Sequence, residues 1–181
     1  MTEADVVVRF WREAGYASWF NKRAAFDAEI KSRFEPAHHA AARGELAGWA
    51  ETPEGTLALL LLLDQFPRNL FRGSAHAFAS DPLARQTTRA GIALGFDMAT
   101  PVDLRLFFYL PLTHSEDPVD QAQAVLLTEA LERAGGENAR AARVHRDIIA
   151  RFGRFPHRNA ALGRETTDEE QAFLDAGGFA G

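Results

Sequence analysis

The chain has 181 residues and carries 25 acidic against 20 basic side chains, a formal net charge of −5. Hydrophobic residues make up 46% of the sequence, which is enough to bury a core and excludes wholesale disorder. The negative charge excludes a protein that coats nucleic acid, because such domains are strongly basic. The absence of cysteine excludes disulfides, thiolate metal sites and a cysteine nucleophile.

A cysteine-free chain fits a reducing compartment, and we predict a cytoplasmic protein. Residues 1–5 are acidic and lack the basic region of a secretory signal. The most apolar run, residues 57–63, is far shorter than the roughly 20 apolar residues that a membrane span requires. We therefore expect a buried core helix there and no membrane partner.

The chain order of the polar and apolar residues predicts successive helices and no strands. A first helix is expected from Asp5 to Gly15 and a second from Asn21 to Phe34, where Pro36 should stop or bend it. A short alanine-rich helix is expected after this proline, at residues 38–43. Further helices are predicted at residues 56–66, 81–94, 101–108, 117–134 and 138–152, with a last short one after the capping box at 167–170.

Short connections between these helices favour antiparallel helical hairpins. Asp81-Pro82 and Asp117-Pro118 each place a capping carboxylate before a proline at the first helical position. The composition does not shift along the chain. The sequence therefore predicts one all-α domain, residues 1–181, of seven to nine helices.

Polar side chains follow the leucine-rich helix at residues 64–73. Pro67 cannot donate to the carbonyl of Leu63, so the helix should kink or restart there. A restart would leave backbone N–H groups free for an anion, whereas a kink would let Asp64 pair with Arg68 four residues later. The candidate ligand-binding residues here are Asp64, Gln65, Arg68, Asn69 and Arg72.

A second polar segment, Phe155-Pro156-His157-Arg158-Asn159, repeats Phe66-Pro67-Arg68-Asn69 with one histidine inserted. The repetition suggests one local geometry used twice, although the abundance of arginine leaves coincidence as an alternative. Arginine and asparagine side chains together suit a carboxylate or a phosphate. The candidate ligand-binding residues here are Arg154, His157, Arg158 and Asn159.

The third segment runs from Phe107 to Asp117. Pro111 is expected to end a helix, which places His114 and Glu116 on a turn where they could act as general acid or base. The candidate ligand-binding residues here are Tyr109, His114 and Glu116. The alternative is that Ser115 and Asp117 merely cap the next helix, since no Gly-x-Ser-x-Gly elbow is present. A further histidine, His145, lies in an apolar helical stripe and is typical of a core residue, although it could also reach a buried site.

Metal and nucleotide sites are not predicted. His38 and His39 are adjacent and point in different directions, and neither His-Glu-x-x-His nor a cysteine pair occurs. There is also no Gly-x-Gly-x-x-Gly and no phosphate-binding Gly-Lys-Ser/Thr loop. We therefore expect no metal and no cofactor.

Three stretches together resemble the bacterial family catalogued as domain of unknown function 924: residues 61–73, 107–117 and 151–159. The resemblance extends over about residues 5–175 and includes Phe10-Trp11, after which this chain has Arg12 where the family commonly has an aromatic residue. It implies an all-α fold of packed hairpins like the right-handed tetratricopeptide superhelix. It implies no activity, substrate or cofactor.

Three functions fit these residues. The first is a binding protein whose cleft of arginine, asparagine and histidine holds an anionic small molecule or a peptide carboxylate. The second is a small hydrolase-like enzyme that uses His114 or His157 with Asp64 or Glu116. The third is a structural or interaction module, which could form a homodimer and in which the polar motifs are ion pairs at helix junctions.

The charge is unevenly distributed along the chain. Residues 133–164 contain eight arginines against Glu137 and Asp147, so this segment is +6 and the remainder is −11. Pairing within the molecule is sufficient to account for the imbalance, and an acidic ligand is the alternative.

Overall fold

The computed structural model describes residues 2–179, and all regular structure in that range is helical, which confirms the all-α class. Seven of the α-helices in the described part of the chain have eight residues or more, and the others are short turns. The α-helices are α1 Glu3–Ala14, α2 Tyr16–Trp19, α3 Ala24–Ala42, α4 Pro53–Leu60, α5 Phe66–Leu70, α6 Asp81–Ala93, α7 Phe96–Ala99, α8 Val102–Arg105, α9 Leu110–Thr113, α10 Pro118–Arg133, α11 Ala139–Phe152 and α12 Asp168–Asp175. Short 3₁₀ turns lie at Ala47–Glu51, Ala75–Phe78, Leu106–Phe108 and Pro156–Arg158.

Capping side chains set several helix ends. The predicted capping box before α12 is present, with Thr167 and Glu170 satisfying each other's backbone N–H groups. At α1 the cap is Thr2 rather than Asp5, because Asp5 is the third helical residue and accepts the N–H of Thr2. Asp117 caps α10 as predicted by accepting the N–H of Val119 at 2.8 Å.

Proline does not end α3 as the sequence suggested. The helix runs through Pro36 to Ala42 and includes the piece predicted as a separate helix at 38–43. Phe34 and His38, on either side of the proline, are both buried. Their burial outweighs the roughly 3 kcal/mol that an interior proline costs a helix.

Pro111 also does not end a helix, because it lies in the first turn of α9, where a missing N–H costs nothing. The predicted turn follows at His114. There Ser115 Oγ accepts the N–H of Asp117 at 3.2 Å, and the Gln121 amide donates to the carbonyls of Thr113 and Ser115. Ser115 therefore stabilises the approach to α10, as the capping interpretation expected.

The leucine-rich helix forms the centre of the core. Residues 57–63 are each at most 5% exposed and are packed against α1, α3 and α6. The rings of Trp11 and Phe66 pack nearby in a tilted arrangement, with centroids 5.5 Å apart. A second, smaller apolar cluster joins α11 to the following turn through Ile148, Ile149 and Phe155. α10 and α11, connected by a short loop, form the helical hairpin beside it.

A π-helical turn, Leu61–Gln65, joins α4 and α5 into one continuous stretch, so the chain neither restarts nor breaks at Pro67. The N–H of Phe66 donates to the carbonyl of Leu61, and Pro67 has no N–H to donate. The carbonyls left over receive side chains instead. Leu62 O accepts from His38 Nδ1 at 2.8 Å, Leu63 O from Ser80 Oγ at 2.6 Å, and Asp64 O from Arg68 at 2.6 Å.

None of the described helices combines the length and apolarity needed to cross a bilayer. The finer expectations of a tetratricopeptide-like array and of a single domain stay predictions. What the fold establishes for the site is that the π-helical turn, the start of α6, the residue after α9 and the 156–158 turn come together.

Candidate functional site

Asp64 lies at the centre of this region, in the π-helical turn, with its side chain 1% exposed. Its carboxylate accepts from the Gln65 amide and from His114 Nδ1 at 2.8 Å, and it lies 3.3 Å from Arg68. Burial alone would raise the pKa of Asp64, but the charge of Arg68 and the hydrogen bonds from His114 and Gln65 lower it to about 2. Asp64 is therefore ionised at neutral pH.

His114 faces Asp64 as a neutral imidazole. Burial and the charge of Arg68 lower the pKa of His114 to about 4, although Asp64 opposes them. The close contact is thus a hydrogen bond from Nδ1–H to a carboxylate, and not an ion pair. This tautomer leaves a lone pair on Nε2, which points away from Asp64.

Arg68 makes three hydrogen bonds with both of its terminal nitrogens. Its two terminal nitrogens each donate to one oxygen of Asp81 at 3.0 Å, and NH1 also donates to the carbonyl of Asp64. These carboxylates raise the pKa of Arg68 despite its burial. Arg68 thereby ties α5 to Asp81, the first residue of α6.

Arg158 reaches the same carboxylate from the 156–158 turn but is poorly satisfied. Its side chain is 8% exposed, and NH1 lies 3.5 Å from Asp81 Oδ2. Within residues 2–179, its Nε has no hydrogen-bond partner, and no hydrogen bond from the guanidinium is formed. The group lies 4.6 Å over the rings of both Phe78 and Phe155. Burial and the charge of Arg68 lower the pKa of Arg158 to about 10.

Two further imidazoles adjoin Arg158. Burial and the charge of Arg158 lower the pKa of His157 to about 3, and its Nδ1 is buried without a partner among the described residues. His145 lies 6.3 Å from His114, ring to ring, and its Nδ1 donates to the carbonyl of Ala141. Burial also lowers the pKa of His145.

We refer to this group of seven titratable side chains, which is centred on Asp64 and Asp81, as the Arg158 cluster. With neutral imidazoles it carries two negative and two positive charges. The charges are compensated unevenly, because Arg68 takes both oxygens of Asp81 at short distance and Arg158 is left with one 3.5 Å contact. The members of the cluster are Asp64, Arg68, Asp81, His114, His145, His157 and Arg158.

Asn69 and Arg72, expected beside Arg68, lie elsewhere and bind Asp27 of α3. Asn69 Nδ2 donates to Asp27 at 2.7 Å, and Arg72 donates to both oxygens of the same carboxylate. Burial opposes these hydrogen bonds, yet together with the charge of Arg72 they lower the pKa of Asp27. These two residues join α5 to α3.

Glu116, Arg154 and Asn159 form a second network that holds the end of the chain to α9. Glu116 accepts the N–H of Phe155 at 2.8 Å and both terminal nitrogens of Arg164. Arg154 donates to both oxygens of Glu170, and the buried Asn159 contacts Glu170 and Arg164. The expected pairing of Glu116 with a histidine is therefore not what the structure has.

Tyr109 lies apart from both networks. It is 3% exposed and its hydroxyl donates to Asp97 at 2.8 Å. Burial and the Asp97 carboxylate raise the pKa of Tyr109. It joins the 106–108 turn region to α7 and contributes nothing to the Arg158 cluster.

The sequence did not predict that Asp81 and Phe78 belong to this site. Asp81 reads as a helix cap because it precedes proline, but Ser80 holds the cap position and Asp81 is the first helical residue. The usable signal was an acidic residue without an obvious partner before a buried helix. His145 was recognised as a core residue, and the structure adds that it adjoins His114.

The basic segment pairs largely within the molecule. Six of its eight arginines form ion pairs with described carboxylates, which supports the intramolecular interpretation of the charge imbalance. The pairs are Arg143–Glu129, Arg146–Asp147, Arg151–Glu169, Arg154–Glu170, Arg158–Asp81 and Arg164–Glu116.

None of the cluster's members lines either of two open cavities, although Ser80, next to Asp81, lines the second. One of about 480 Å³ lies between the start of α1 and residues 52–55, and one of about 350 Å³ is lined by His38, Phe71 and His76. His114 is 16% exposed, so the cluster itself is nearly closed. Within residues 2–179 no three histidine, aspartate or glutamate side chains are arranged to hold a metal ion.

The comparisons with known proteins agree with this fold. The sequence profile of a family described as "Bacterial protein of unknown function (DUF924)" matches residues 7–178. A similar solved structure is that of the protein of unknown function ATU0120 from Agrobacterium tumefaciens, which is 54% identical. The match covers 96% of this chain and 97% of that one, with a TM-score of 0.91. No curated protein matches the chain.

Proposed function

Because the chain belongs to the bacterial family DUF924, whose members are described as being of unknown function, we propose its function from its own residues. The protein binds the anionic group of a small molecule, a carboxylate or a phosphate, at Arg158. The observation that carries this proposal is the buried guanidinium of Arg158, which forms no hydrogen bond with residues 2–179.

The energetics favour a ligand over a purely structural role for this arginine. A buried donor without an acceptor costs about 1–3 kcal/mol, and more when it is charged. Arg68 avoids this cost through its contacts with Asp81, whereas Arg158 does not. A carboxylate or a phosphate would accept two of the five N–H groups of Arg158, which Asp81 leaves without a hydrogen bond.

The neighbouring imidazoles suit the same ligand. The buried Nδ1 of His157 can donate a hydrogen bond to the ligand in its Nδ1–H tautomer, whereas the Nε2 of His114 carries a lone pair and can accept one from a hydroxyl of the ligand. Because both imidazoles are neutral, they orient the bound group without changing the charge balance. The proposed site is therefore a smaller version of the predicted cleft of arginine, asparagine and histidine, and it keeps only Arg158, His157 and His114.

Titration calorimetry with inorganic phosphate and with acetate tests this proposal. We expect the wild type to bind at least one probe and Arg158→Met to bind it about tenfold or more weakly, a difference of about 1.4 kcal/mol. The matched control is Arg151→Met, which removes an arginine of the same segment whose side chain is 52% exposed. Equal affinity of Arg158→Met and the wild type, or no binding of either probe by the wild type, would overturn the proposal.

A second candidate, acid–base catalysis, is favoured by one observation, the hydrogen bond from neutral His114 to Asp64 at 2.8 Å. A carboxylate that fixes the tautomer leaves Nε2 ready to accept a proton from water or substrate. Hydrolysis of an activated aryl ester should then be lost in His114→Gln but kept in His39→Gln, which alters an exposed histidine. Equal rates in both variants would exclude His114 as the base.

We assign the remaining predicted residues to helix junctions. Their side chains bind partners within the molecule, as Asn69 and Arg72 do with Asp27. Arg154 and Asn159 do the same with Glu170, and Tyr109 does so with Asp97. The structural function considered from the sequence thus applies to these residues and not to Arg158.

A further inference from the structure

Phe179 lies against the Arg158 cluster, although it follows Arg158 by 21 residues in the sequence. Its ring centroid is 4.5 Å from that of His145 and 5.1 Å from that of His157. Both imidazoles adjoin Arg158 closely enough for its charge to lower their pKa. Phe179 is therefore a third aromatic ring beside the proposed anion site, in addition to Phe78 and Phe155.

Two glycines after α12 bring Phe179 to this position. Gly177 has φ +79°, a conformation that favours glycine, and its N–H donates to Leu174 O. Gly178 donates to Phe173 O at 3.0 Å and has no room for a side chain, since a Cβ would lie 2.5 Å from that oxygen. The turn is thus built to direct residue 179 back onto α11.

The contact of Phe179 itself is loose. Its side chain is only partly buried, whereas Phe155 in the same apolar cluster is 0% exposed. Among the described residues, the hydrogen bonds of this turn end at Gly178, and none holds the backbone of Phe179. The ring can leave its place without breaking a described hydrogen bond.

We propose that the ligand of Arg158 is an aromatic carboxylate whose ring takes the place of Phe179 between His145 and His157. This inference rests on the proposed function, because it places the carboxylate on Arg158. A ring in that position would regain the aromatic contacts that Phe179 gives up, while the carboxylate would satisfy the guanidinium. An aliphatic carboxylate would supply the second contribution only.

The affinities for 3-phenylpropionate and propionate test this inference. In Phe179→Ala the competing ring is gone, so 3-phenylpropionate should bind about tenfold more tightly than to the wild type, while propionate changes by less than about threefold. Phe20→Ala, which removes an aromatic ring that is 45% exposed, is the matched control and should leave both affinities unchanged. Phe179 is partly exposed, so we expect the variant to fold.

The outcomes separate the two proposals. If propionate binds in an Arg158-dependent way but Phe179→Ala does not favour 3-phenylpropionate, the inference on the ring is wrong and the anion site stands. If neither carboxylate depends on Arg158, the proposed function is wrong as well. A crystal structure with 3-phenylpropionate should show its ring between His145 and His157, and a ring bound elsewhere would overturn the inference.

Discussion

Two short segments of this protein share the same residue types and differ in how their arginines are satisfied. In Phe66-Pro67-Arg68-Asn69 the guanidinium holds both oxygens of Asp81 at 3.0 Å and a backbone carbonyl. In residues 155–159 the guanidinium of Arg158 touches the same Asp81 at 3.5 Å and forms no hydrogen bond with a described residue. A repeated motif can therefore bring two side chains to one place while leaving only one of them satisfied.

The difference follows from the backbone around each proline. Pro67 lies in a continuous helix next to a π-helical turn, and Arg68, one residue further on, also donates to the carbonyl of Asp64 in that turn. Pro156 begins a 3₁₀ turn, where the inserted His157 precedes Arg158 and Asn159 is drawn to Glu170. Arg158 is left among aromatic rings, which attract a cation but accept no conventional hydrogen bond.

The sharpest test of this contrast is Arg68→Met, which leaves Asp81 and Asp64 buried with poorer compensation. We expect a loss of about 3–5 kcal/mol in the free energy of unfolding, as is typical when one partner of a buried ion pair is removed. Urea unfolding measures it. Arg12→Met, which breaks an ion pair exposed by about half, is the control and should cost less than about 1 kcal/mol. A similar loss in both variants would remove the special status of Arg68.

The pH dependence of stability tests the neutral imidazoles. In the folded state the pKa values of His114 and His157 are lowered to about 4 and about 3. At any pH between these values and the ordinary histidine pKa of about 6.5, the unfolded chain therefore binds more protons than the folded protein. Stability is therefore complete above about pH 6.5 and falls as the pH decreases, by about 1.4 kcal/mol per pH unit for each histidine.

Urea unfolding between pH 5 and pH 7 measures this slope. His157→Phe should flatten it by about one proton, while His39→Phe, at an exposed position, should leave it as in the wild type. An unchanged slope in His157→Phe would contradict a buried neutral imidazole at that position.

For the asparagines of the two segments the difference is the opposite: the one in residues 155–159 has more hydrogen-bond partners than the one in residues 66–69. Asn159 is 0% exposed and contacts both Glu170 and Arg164, whereas Asn69 makes one hydrogen bond to Asp27. We expect Asn159→Ala to cost about 2–3 kcal/mol and Asn69→Ala about 1 kcal/mol, because more buried partners are left unsatisfied in the first case. Urea unfolding of both variants decides this, and a larger loss at Asn69 would contradict the structural assignment.

Much of this arrangement could be predicted from the sequence. Apolar periodicity and Asp-Pro caps predict the helices, and the spacing of Asp64 and Arg68 predicts their contact. Sequence patterns could not show that Asp81 joins the two arginines, since its place before proline is equally typical of a cap. They could not show that α3 continues past Pro36, because that depends on burial of Phe34 and His38 against other elements.

Sequence patterns also could not predict the hydrogen-bond partners of Asn69, Arg72 and Glu116. Asp27 lies 42 residues before Asn69, and Arg164 lies 48 residues after Glu116. Such pairings arise only when the helices pack. The sequence therefore grouped twelve polar residues as one site, and the structure divides them between a cluster and several junctions.

Arg158→Met is expected to have the smallest effect on stability and the opposite sign. The substitution removes a desolvated charge with unsatisfied donors and keeps an apolar side chain against Phe78 and Phe155. We expect the melting temperature to rise by about 2–4 °C for each 1 kcal/mol gained. A loss comparable with that of Arg68→Met would show that the two arginines are equivalent after all.

The most direct test is thermal melting of the wild type and Arg158→Met in phosphate and in chloride at equal ionic strength. A buried anion site predicts that phosphate raises the melting temperature of the wild type with concentration, because the ligand binds only the folded state. In Arg158→Met the rise should be absent. A rise of the same size in both proteins, or in neither, would contradict the claim that Arg158 is kept buried to hold an anion.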